Sequence, residues 1–263
     1  MNTAGIDVGY EAIKIVLFKD GEVIAKNTGL SGGINRVAEI DRLWKETLDS
    51  VSMKPEDFQG VVATGLGKND VAFADSVVTE PIADTRAARW FFADATSVID
   101  VGADRSRVVT LKDGEGIEEI ALSQKCGNGF GSQLKFIARK LEMTMDELSD
   151  IPEGVADGAV CNDGCIVFIE LDAIELLAQG VPSLQVAGAV VDAIAVRINM
   201  LLNDKITPKK ETTLLIGGVS QNDAVVKSLK SRSGIDFIIP EDAVFGGAIG
   251  CALIAAERKA REE

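Results

Sequence analysis

Residues 4–25 read AGIDVGYEAIKIVLFKDGEVIA, and this stretch decides the fold of the first part of the chain. An apolar strand ends in Asp7-Val8-Gly9, and the alternating run Ile13 to Phe18 returns from that turn. A second turn at Asp20-Gly21 leads into another strand from Glu22 to Ala25, because Asp-Gly is a strong hairpin signal. The stretch therefore predicts three short strands in direct succession.

A helix and a buried strand follow the three strands. Residues 37–50 have helical periodicity, with four large apolar side chains on one face: Ile40, Leu43, Trp44 and Leu48. The sequence GVVATG at 60–65 reads as a buried strand that ends at a glycine turn. The predicted order is β-β-β-α-β.

The same order begins again at residues 97–111, SVIDVGADRSRVVTL, with an apolar strand, an Asp-x-Gly turn and a returning strand. Asp113-Gly114 makes the next turn, into the strand IEEIALS. Further helices are predicted over 131–141, 169–179 and 186–203, and TTLLIGGVSQN at 212–222 reads as a strand that runs into a glycine turn. The recurrence predicts an internal duplication.

Composition limits the classes of function. With 263 residues, of which 46% are apolar, the chain has enough material for one large or two modest domains. The sequence has neither a run of about 20 apolar residues nor a signal-peptide pattern at its start, so we expect a cytoplasmic protein without a membrane partner. The net charge of −14 argues against nucleic acid as a partner.

The chain has no histidine, which excludes Ser-His-Asp, Cys-His and histidine–metal chemistry. It has four cysteines, and structural disulfides are not expected in a reducing cytosol. Cys251 lies in the apolar run GGAIGCALIAA, where we expect a small buried thiol. The other three cysteines are candidates for metal binding.

Two tripeptides have the form of phosphate loops. An apolar strand that ends in Asp-x-Gly places a carboxylate beside backbone N–H groups at a tight turn, which suits a hydrated magnesium ion and a phosphate. Asp7-Val8-Gly9 and Asp100-Val101-Gly102 both have this form. One Asp-x-Gly turn carries little weight, but two in a duplicated context indicate a nucleotide site.

A third glycine site is the Gly-Gly turn in IGGVSQN at 216–222. Gly217 and Gly218 have no Cβ, so the backbone here can approach a base or ribose closely. The Walker signature is absent. Together the three sites resemble the superfamily of sugar kinases, actin and related heat-shock ATPases, whose two phosphate loops and adenosine loop come in this order.

Two cysteines precede predicted helices. Cys126 lies in KCGNGFGSQLKF and Cys165 in CIVFIELDAIEL, and a helix N-terminus stabilises the thiolate that ligates metal. A 4Fe-4S cluster needs four thiolates, so we predict a two-fold dimer with one cluster on its axis and both cysteines of each subunit as ligands. Cys161 is either an alternative ligand or a loop cysteine without a role.

An ordered set of motifs from residue 4 to about residue 256 resembles the ATP-dependent activators of 2-hydroxyacyl-CoA dehydratases and the related ATP-binding subunits of benzoyl-CoA reductase. The matching pieces are GIDVG, VATGLGK, VIDVGA, KCGNGFG, the pattern C-x-V-F-x-E-x-[DE]-x-I from Cys165, IGGVSQN and GGAIGCAL. The resemblance implies an α/β protein with a duplicated actin-like, ribonuclease H-like ATPase fold and a nucleotide cleft between two subdomains. We expect the first subdomain in 1–93 plus 248–263 and the second in 94–247.

The resemblance also implies ATP-driven electron transfer. A ferredoxin-type donor reduces the bridging 4Fe-4S cluster, and nucleotide-linked opening of the dimer passes one electron to an acyl-CoA dehydratase or reductase partner. Asp7 and Asp100 correspond to the catalytic acids that hold Mg²⁺ and phosphate, and Cys126 and Cys165 to the cluster ligands. The residues expected to bind ATP or ADP are Gly9, Lys14, Gly102, Ala103, Gly217, Gly218 and Gln221.

Two departures from the family pattern bear on activity and partner. The first loop continues with Tyr10-Glu11 where the family offers Ser or Thr, which removes hydroxyl donors and puts a carboxylate near an anionic ligand. The second loop, D-V-G-A-D, lacks the glutamine of the dehydratase activators and is more similar to the benzoyl-CoA reductase subunits.

Two alternatives stay open beside the electron-transferring ATPase. One is a small-molecule kinase of the same fold with incidental cysteines, and the other is a structural subunit that no longer hydrolyses ATP. The sequence also leaves open a homodimer or a heterodimer with a paralogous subunit, and the identity of the acyl-CoA.

Overall fold

The computed structural model describes residues 1–114, 116–123, 129–204 and 212–262, and the chain divides into two compact units. Unit 1 comprises Met1–Ala95, Gly114–Ile117 and Val244–Glu263, and unit 2 comprises Thr96–Asp113 and Glu118–Ala243. Each unit is built on one β-sheet with helices packed against it.

Unit 1 contains a five-stranded sheet in the order β3-β2-β1-β4-β5. Its strands are β1 (Asn2–Val8), β2 (Ala12–Lys19), β3 (Glu22–Leu30), β4 (Gly60–Thr64) and β5 (Ser76–Val77). Its helices are α1 (Arg36–Ser50), α2 (Glu80–Phe91) and α8 (Gly246–Glu262). β1 pairs antiparallel with β2 and parallel with β4, so the three predicted hairpin strands and the predicted buried strand belong to one sheet.

The sheet of unit 1 is buried on both faces. Ile15 of β2 shares an apolar cluster with Trp44 of α1, whereas Phe18 of the same strand shares another cluster with Ala248 of α8. Burial on both faces explains why β2 reads as a nearly continuous apolar run.

Helix α8 touches its neighbours backbone to backbone. A Cβ placed on Gly5 of β1 would overlap the carbonyl oxygen of Ala248 and lie 2.5 Å from the nitrogen of Ala252. A Cβ placed on Gly250 of α8 would overlap the carbonyl oxygen of Ala83 in α2. Only glycine permits this approach at both positions, so α8 sits between β1 and α2 without intervening side chains.

Unit 2 contains a four-stranded sheet in the order β8-β7-β6-β9. Its strands are β6 (Ser97–Val101), β7 (Ser106–Leu111), β8 (Ile117–Leu122) and β9 (Thr213–Ile216), and its helices are α3 (Phe130–Lys140), α4 (Met145–Ser149), α5 (Ile166–Ala178), α6 (Ser183–Asp204) and α7 (Asp223–Ser233). The order β3-β2-β1-β4 of unit 1 recurs here as β8-β7-β6-β9, and β6 pairs antiparallel with β7 and parallel with β9, as β1 does with β2 and β4. The predicted duplication and the α/β class are confirmed.

Helix α6 runs through the core of unit 2. Among the described residues, α6 is the one helix that is long and apolar enough to span a membrane, over Ser183–Leu202. Of this segment, 61% is buried inside the protein. Val190, Ile194 and Ile198 are fully buried among residues of α3, α5 and α7. Its apolar character is that of a core helix.

Candidate functional site

The first Asp-x-Gly loop closes the β1–β2 hairpin of unit 1. The N–H of Gly9 donates to the carbonyl oxygen of Ala12 at 2.9 Å, and the strand register places Asp7 opposite Lys14. Lys14 Nζ lies 2.9 Å from Asp7 Oδ2, and each of the two side chains is 16% exposed. Two residues assigned to the nucleotide site thus form a largely buried ion pair at the carboxyl end of β1.

Two glycines that were not predicted as site residues lie against Asp7. Gly65, at φ +90°, follows β4, and a Cβ there would lie 2.6 Å from Asp7 Oδ1. Gly247, in the first turn of α8, would place a Cβ 3.3 Å from Asp7 Oδ2. Both occur in motifs quoted above, VATGLGK and GGAIGCAL, but only the packing reveals that they leave room for the carboxylate.

The second Asp-x-Gly loop repeats this construction in unit 2. The N–H of Gly102 donates to the carbonyl oxygen of Arg105 at 3.0 Å, and the register places Asp100 opposite Arg107. The guanidinium of Arg107 donates to the Asp100 carboxylate. Arg107 was not among the site residues predicted from the sequence, although it follows its aspartate at the same spacing as Lys14 follows Asp7.

The two glycines of the third site differ in surroundings. Gly217, at φ +88°, would place a Cβ against the carboxylate of Asp100 and 2.6 Å from the carbonyl oxygen of Val101, so it occupies the position that Gly65 has in unit 1. A Cβ on Gly218 would meet nothing within 4 Å. Gly218 and Gln221 are exposed, so this edge of the loop is open to an approaching ligand.

Helix α3 starts on the second loop. The N–H groups of Gly131 and Ser132 donate to the carbonyl oxygens of Gly102 and Ala103, each at 3.2 Å. A Cβ on Gly131 would lie 2.9 Å from the Cα of Ala103, so the helix and the loop are in backbone contact. Two predicted site residues, Gly102 and Ala103, are therefore joined directly to the helix that follows Cys126.

The first turn of α3 also carries polar atoms without a hydrogen-bond partner among the described residues. They are the hydroxyl of Ser132 and the amide nitrogen of Gln133, both buried. Buried donors are normally satisfied, and a phosphate at the second loop would provide acceptors for them. The site therefore fits an anionic ligand.

Cys165 is the N-cap residue of α5 and is half-buried. Its carbonyl oxygen accepts hydrogen bonds from the N–H groups of Phe168 at 3.0 Å and Ile169 at 3.1 Å. Cys126, the other predicted ligand, lies outside the described residues. Within the described part of the chain no group of three or more Cys, Asp or Glu side chains is placed to hold a metal ion.

An exposed apolar stripe runs along α5 from its first turn. Its members are at least 44% exposed and recur at helical spacing: Val167, Phe168, Leu171 and Ile174, with Val160 in the preceding loop. An apolar stripe of this kind on a soluble unit marks an interaction surface. Cys165 therefore stands at the edge of a surface suited to another protein.

The two remaining cysteines are buried. Cys161 is 5% exposed and belongs to the core of unit 2, and burial, with a smaller contribution from the Asp172 charge, raises its pKa to about 11. It is a neutral thiol in the core, which favours a packing role over ligation. Cys251 is fully buried in α8, as expected, and burial raises its pKa well above the usual value.

The duplicated sheets and the paired Asp-x-Gly loops define a member of the actin-like ATPase fold. A ROK family glucokinase from Streptomyces griseus shares this fold, with a TM-score of 0.58, 15% identity and coverage of 98% of this chain and 100% of that one. The chain matches the BadF/BadG/BcrA/BcrD ATPase family over residues 4–255, and it belongs to that family.

Relatives of known activity span the whole length. The activator of lactoyl-CoA dehydratase from Anaerotignum propionicum is 31% identical, with 98% of each chain covered. A benzoyl-CoA reductase subunit from Thauera aromatica is 26% identical, with 97% of this chain and 93% of that one covered. Component A of (R)-2-hydroxyglutaryl-CoA dehydratase from Acidaminococcus fermentans has a TM-score of 0.87 at 28% identity, with 99% of each chain covered. The identities to dehydratase activators range from 25% to 31% and include the 26% of the benzoyl-CoA reductase subunit, so identity does not favour either group.

Proposed function

We propose that the chain is the ATP-hydrolysing electron-transfer component of an acyl-CoA dehydratase or benzoyl-CoA reductase type system. One 4Fe-4S cluster is held between two copies by Cys126 and Cys165 of each, and a cytoplasmic ferredoxin-type protein is the electron donor. Family membership supports ATP-driven activation. The observation that carries the proposal is the placement of Cys165 at the start of α5, beside an exposed apolar stripe.

The stripe on α5 supports a second copy of this chain as the occupant. A two-fold axis near the N-terminus of α5 brings the same patch of both copies together, which an isologous interface requires. It also brings two copies of each cysteine together, which gives the four thiolates of a cuboidal cluster. Apolar side chains such as Phe168 and Leu171 then keep water from the thiolates and lower the local dielectric.

The two Asp-x-Gly loops support binding of a magnesium nucleotide. Asp7 and Asp100 are the acids for Mg²⁺ and phosphate in their respective loops, and Lys14 and Arg107 hold the two carboxylates in place. The N–H groups of Gly9 and Gly102 close the hairpins, and the neighbouring N–H groups of the loops donate to phosphate oxygens. Gly218 leaves space for the nucleoside.

When the 4Fe-4S cluster is bound, it supplies one electron at a time at low potential.

The contact between α3 and the second loop supports a route from nucleotide to cluster. Loss of the terminal phosphate changes the charge next to Gly102 and Ala103, whose carbonyl groups accept from the first turn of α3. Cys126 lies four residues before the first residue of that helix in sequence. A shift of the loop therefore moves α3, the helix that follows Cys126 in sequence.

The test is the iron and acid-labile sulfide content, with the visible spectrum, of protein purified and reconstituted without oxygen. We expect about four irons per dimer, and loss of the iron in Cys126→Ala and in Cys165→Ala. Cys161→Ala and Cys251→Ala are the matched controls and keep it. ATP-dependent transfer of an electron to a purified acyl-CoA dehydratase component is the second measurement. Wild-type protein without iron, or either ligand variant with full iron, would overturn the proposal.

A further inference from the structure

Residues 161–165, CNDGC, which we call the ligand loop, are fixed at several points. Cys161 is buried in the core of unit 2 at one end, and Cys165 caps α5 at the other. Between them, the N–H of Asn162 donates to Asp172 Oδ2 at 2.6 Å, and the N–H of Gly164 donates to Asn162 Oδ1 at 2.7 Å. The loop contains two cysteines, only one of which borders the exposed surface.

The Asp172 contact is unusual for a helix residue, because its partner is the backbone ten residues earlier. Cys165 and Asp172 are seven residues apart, so they lie on the same side of α5 and roughly 10 Å apart along its axis. The ligand loop therefore runs back beside the first two turns of the helix, with Asn162 held near Asp172. Cys161 and Cys165 lie at opposite ends of this path.

The bond is of the stronger kind, since a carboxylate acceptor shortens and strengthens a hydrogen bond from N–H. Glu175, one turn further along α5, offers a contrast: its carboxylate accepts from the side chain of Gln179 on the same helix at 3.2 Å. Removing the Glu175 carboxylate changes the charge of α5 and leaves the loop anchor intact.

We propose that Asp172 is a positioning residue that sets the register of the ligand loop, so that Cys165 and not Cys161 stands at the helix N-terminus facing the partner surface. The inference rests on the proposed function for its consequence at the cluster. Without the anchor, the loop leaves the side of α5, Cys161 leaves the core, and two thiols four residues apart compete for one ligand position.

The first test needs no cluster. The full chain, freed of iron with a chelator, is treated with a maleimide, and the modified cysteine is located by tandem mass spectrometry. We expect Cys161 of the wild type to be protected and Cys161 of Asp172→Ala to react at least about tenfold faster, as the loss of a charge-assisted hydrogen bond implies. Asp172→Asn keeps an acceptor oxygen and restores most of the protection, and Glu175→Ala matches the wild type.

The second test is iron content after anaerobic reconstitution. We expect Asp172→Ala to lose at least about half of the iron, Asp172→Asn to lose little, and Glu175→Ala to lose none. If Asp172→Ala lowers the folded yield, Asn162→Pro, which removes the N–H donor to Asp172 and the Oδ1 acceptor of Gly164, is compared with Asn162→Ala, which removes only the second contact. We expect rapid labelling of Cys161 in Asn162→Pro and not in Asn162→Ala.

The outcomes separate the two proposals. Protection of Cys161 in Asp172→Ala together with full iron overturns the positioning role. Rapid labelling of Cys161 in a chain whose wild type never takes up iron supports the anchor and overturns the proposed function instead.

Discussion

The two Asp-x-Gly loops are built alike and connected differently. In each, a basic side chain from the returning strand holds the aspartate, and a glycine of positive φ from the parallel neighbour strand lies against it. Asp7 is further enclosed by Gly247 of α8, the helix that completes unit 1. The loop at Asp100 is instead hydrogen-bonded to α3 through Gly102.

The two loops have the same local structure but contact different helices. The first loop is tied to the packing that stabilises its own unit, whereas the second is tied to the helix that follows Cys126. On the proposed function, both loops bind the nucleotide, but only the second reports its state to the cluster.

The largest expected effect concerns the packing around the first loop. Gly5→Ala forces a Cβ into the backbone of α8, so we expect unit 1 to lose about 3 kcal/mol or more of unfolding free energy. Gly60→Ala is the control, because its Cβ would meet side-chain atoms of Ala255 and Lys259 at an ordinary 3.4 Å. Urea unfolding measures both, and equal stability of the two variants would contradict backbone contact between β1 and α8.

Next come the two aspartates. We expect Asp7→Asn and Asp100→Asn each to reduce ATP hydrolysis about a hundredfold, since each removes a charge that holds the magnesium nucleotide. The exposed Asp49→Asn on α1 should hydrolyse ATP at the wild-type rate. Steady-state hydrolysis under saturating magnesium checks this. A full rate in either loop variant would remove that loop from the nucleotide site.

A smaller effect distinguishes coupling from binding. Gly131→Ala places a Cβ 2.9 Å from the Cα of Ala103 and pushes α3 off the second loop. We expect nucleotide affinity to change little and the ATP acceleration of electron transfer to fall about tenfold, the cost of about 1.4 kcal/mol. Gly218→Ala should do the reverse, weakening nucleotide binding without altering stability, because its Cβ meets no protein atom. If the two variants changed nucleotide affinity and ATP-accelerated electron transfer in the same way, Gly131 and Gly218 would not have separate roles in coupling and binding.

The smallest effect is a pH dependence that compares the buried thiols of the two units. The folded state keeps the proton of Cys161 up to about pH 11, whereas the unfolded chain releases it near the ordinary thiol pKa. The native state then binds more protons, so stability falls as pH rises above about 8.5, by at most about 1.4 kcal/mol per pH unit. Cys161→Ala should flatten this loss in unit 2, and Cys251→Ala should do so in unit 1. Urea midpoints at pH 8 and pH 10 test it, and unchanged slopes in both variants would exclude the thiols as the cause.

The sequence predicts those parts of the fold that depend on local pattern. The hairpins around Asp7 and Asp100 follow from Asp-x-Gly turns and alternating strands, and α1, α3, α5 and α6 follow from apolar periodicity. Helix α2 was missed, since its buried face is made largely of small residues such as Ala83 and Ala87, which give little periodic signal.

The site was harder to predict where it depends on tertiary contact. Gly65 and Gly247 lie against Asp7 only because β4 runs parallel to β1 and α8 returns from the far end of the chain. Arg107 was missed because its role depends on the register of β6 and β7. The roles of the predicted cluster and nucleotide residues stay predictions, and Cys126 lies outside the described residues.

The insertion of unit 2 between the sheet of unit 1 and α8 has a consequence for synthesis on the ribosome. β1 is translated before unit 2, but α8, the helix that packs against Gly5 of β1, is translated after residue 245. At a translation rate of about 5–20 residues per second, roughly ten to thirty seconds pass between the synthesis of the sheet and the synthesis of α8. Unit 2 is translated between the sheet of unit 1 and α8, so unit 1 can be completed only after unit 2 has been translated.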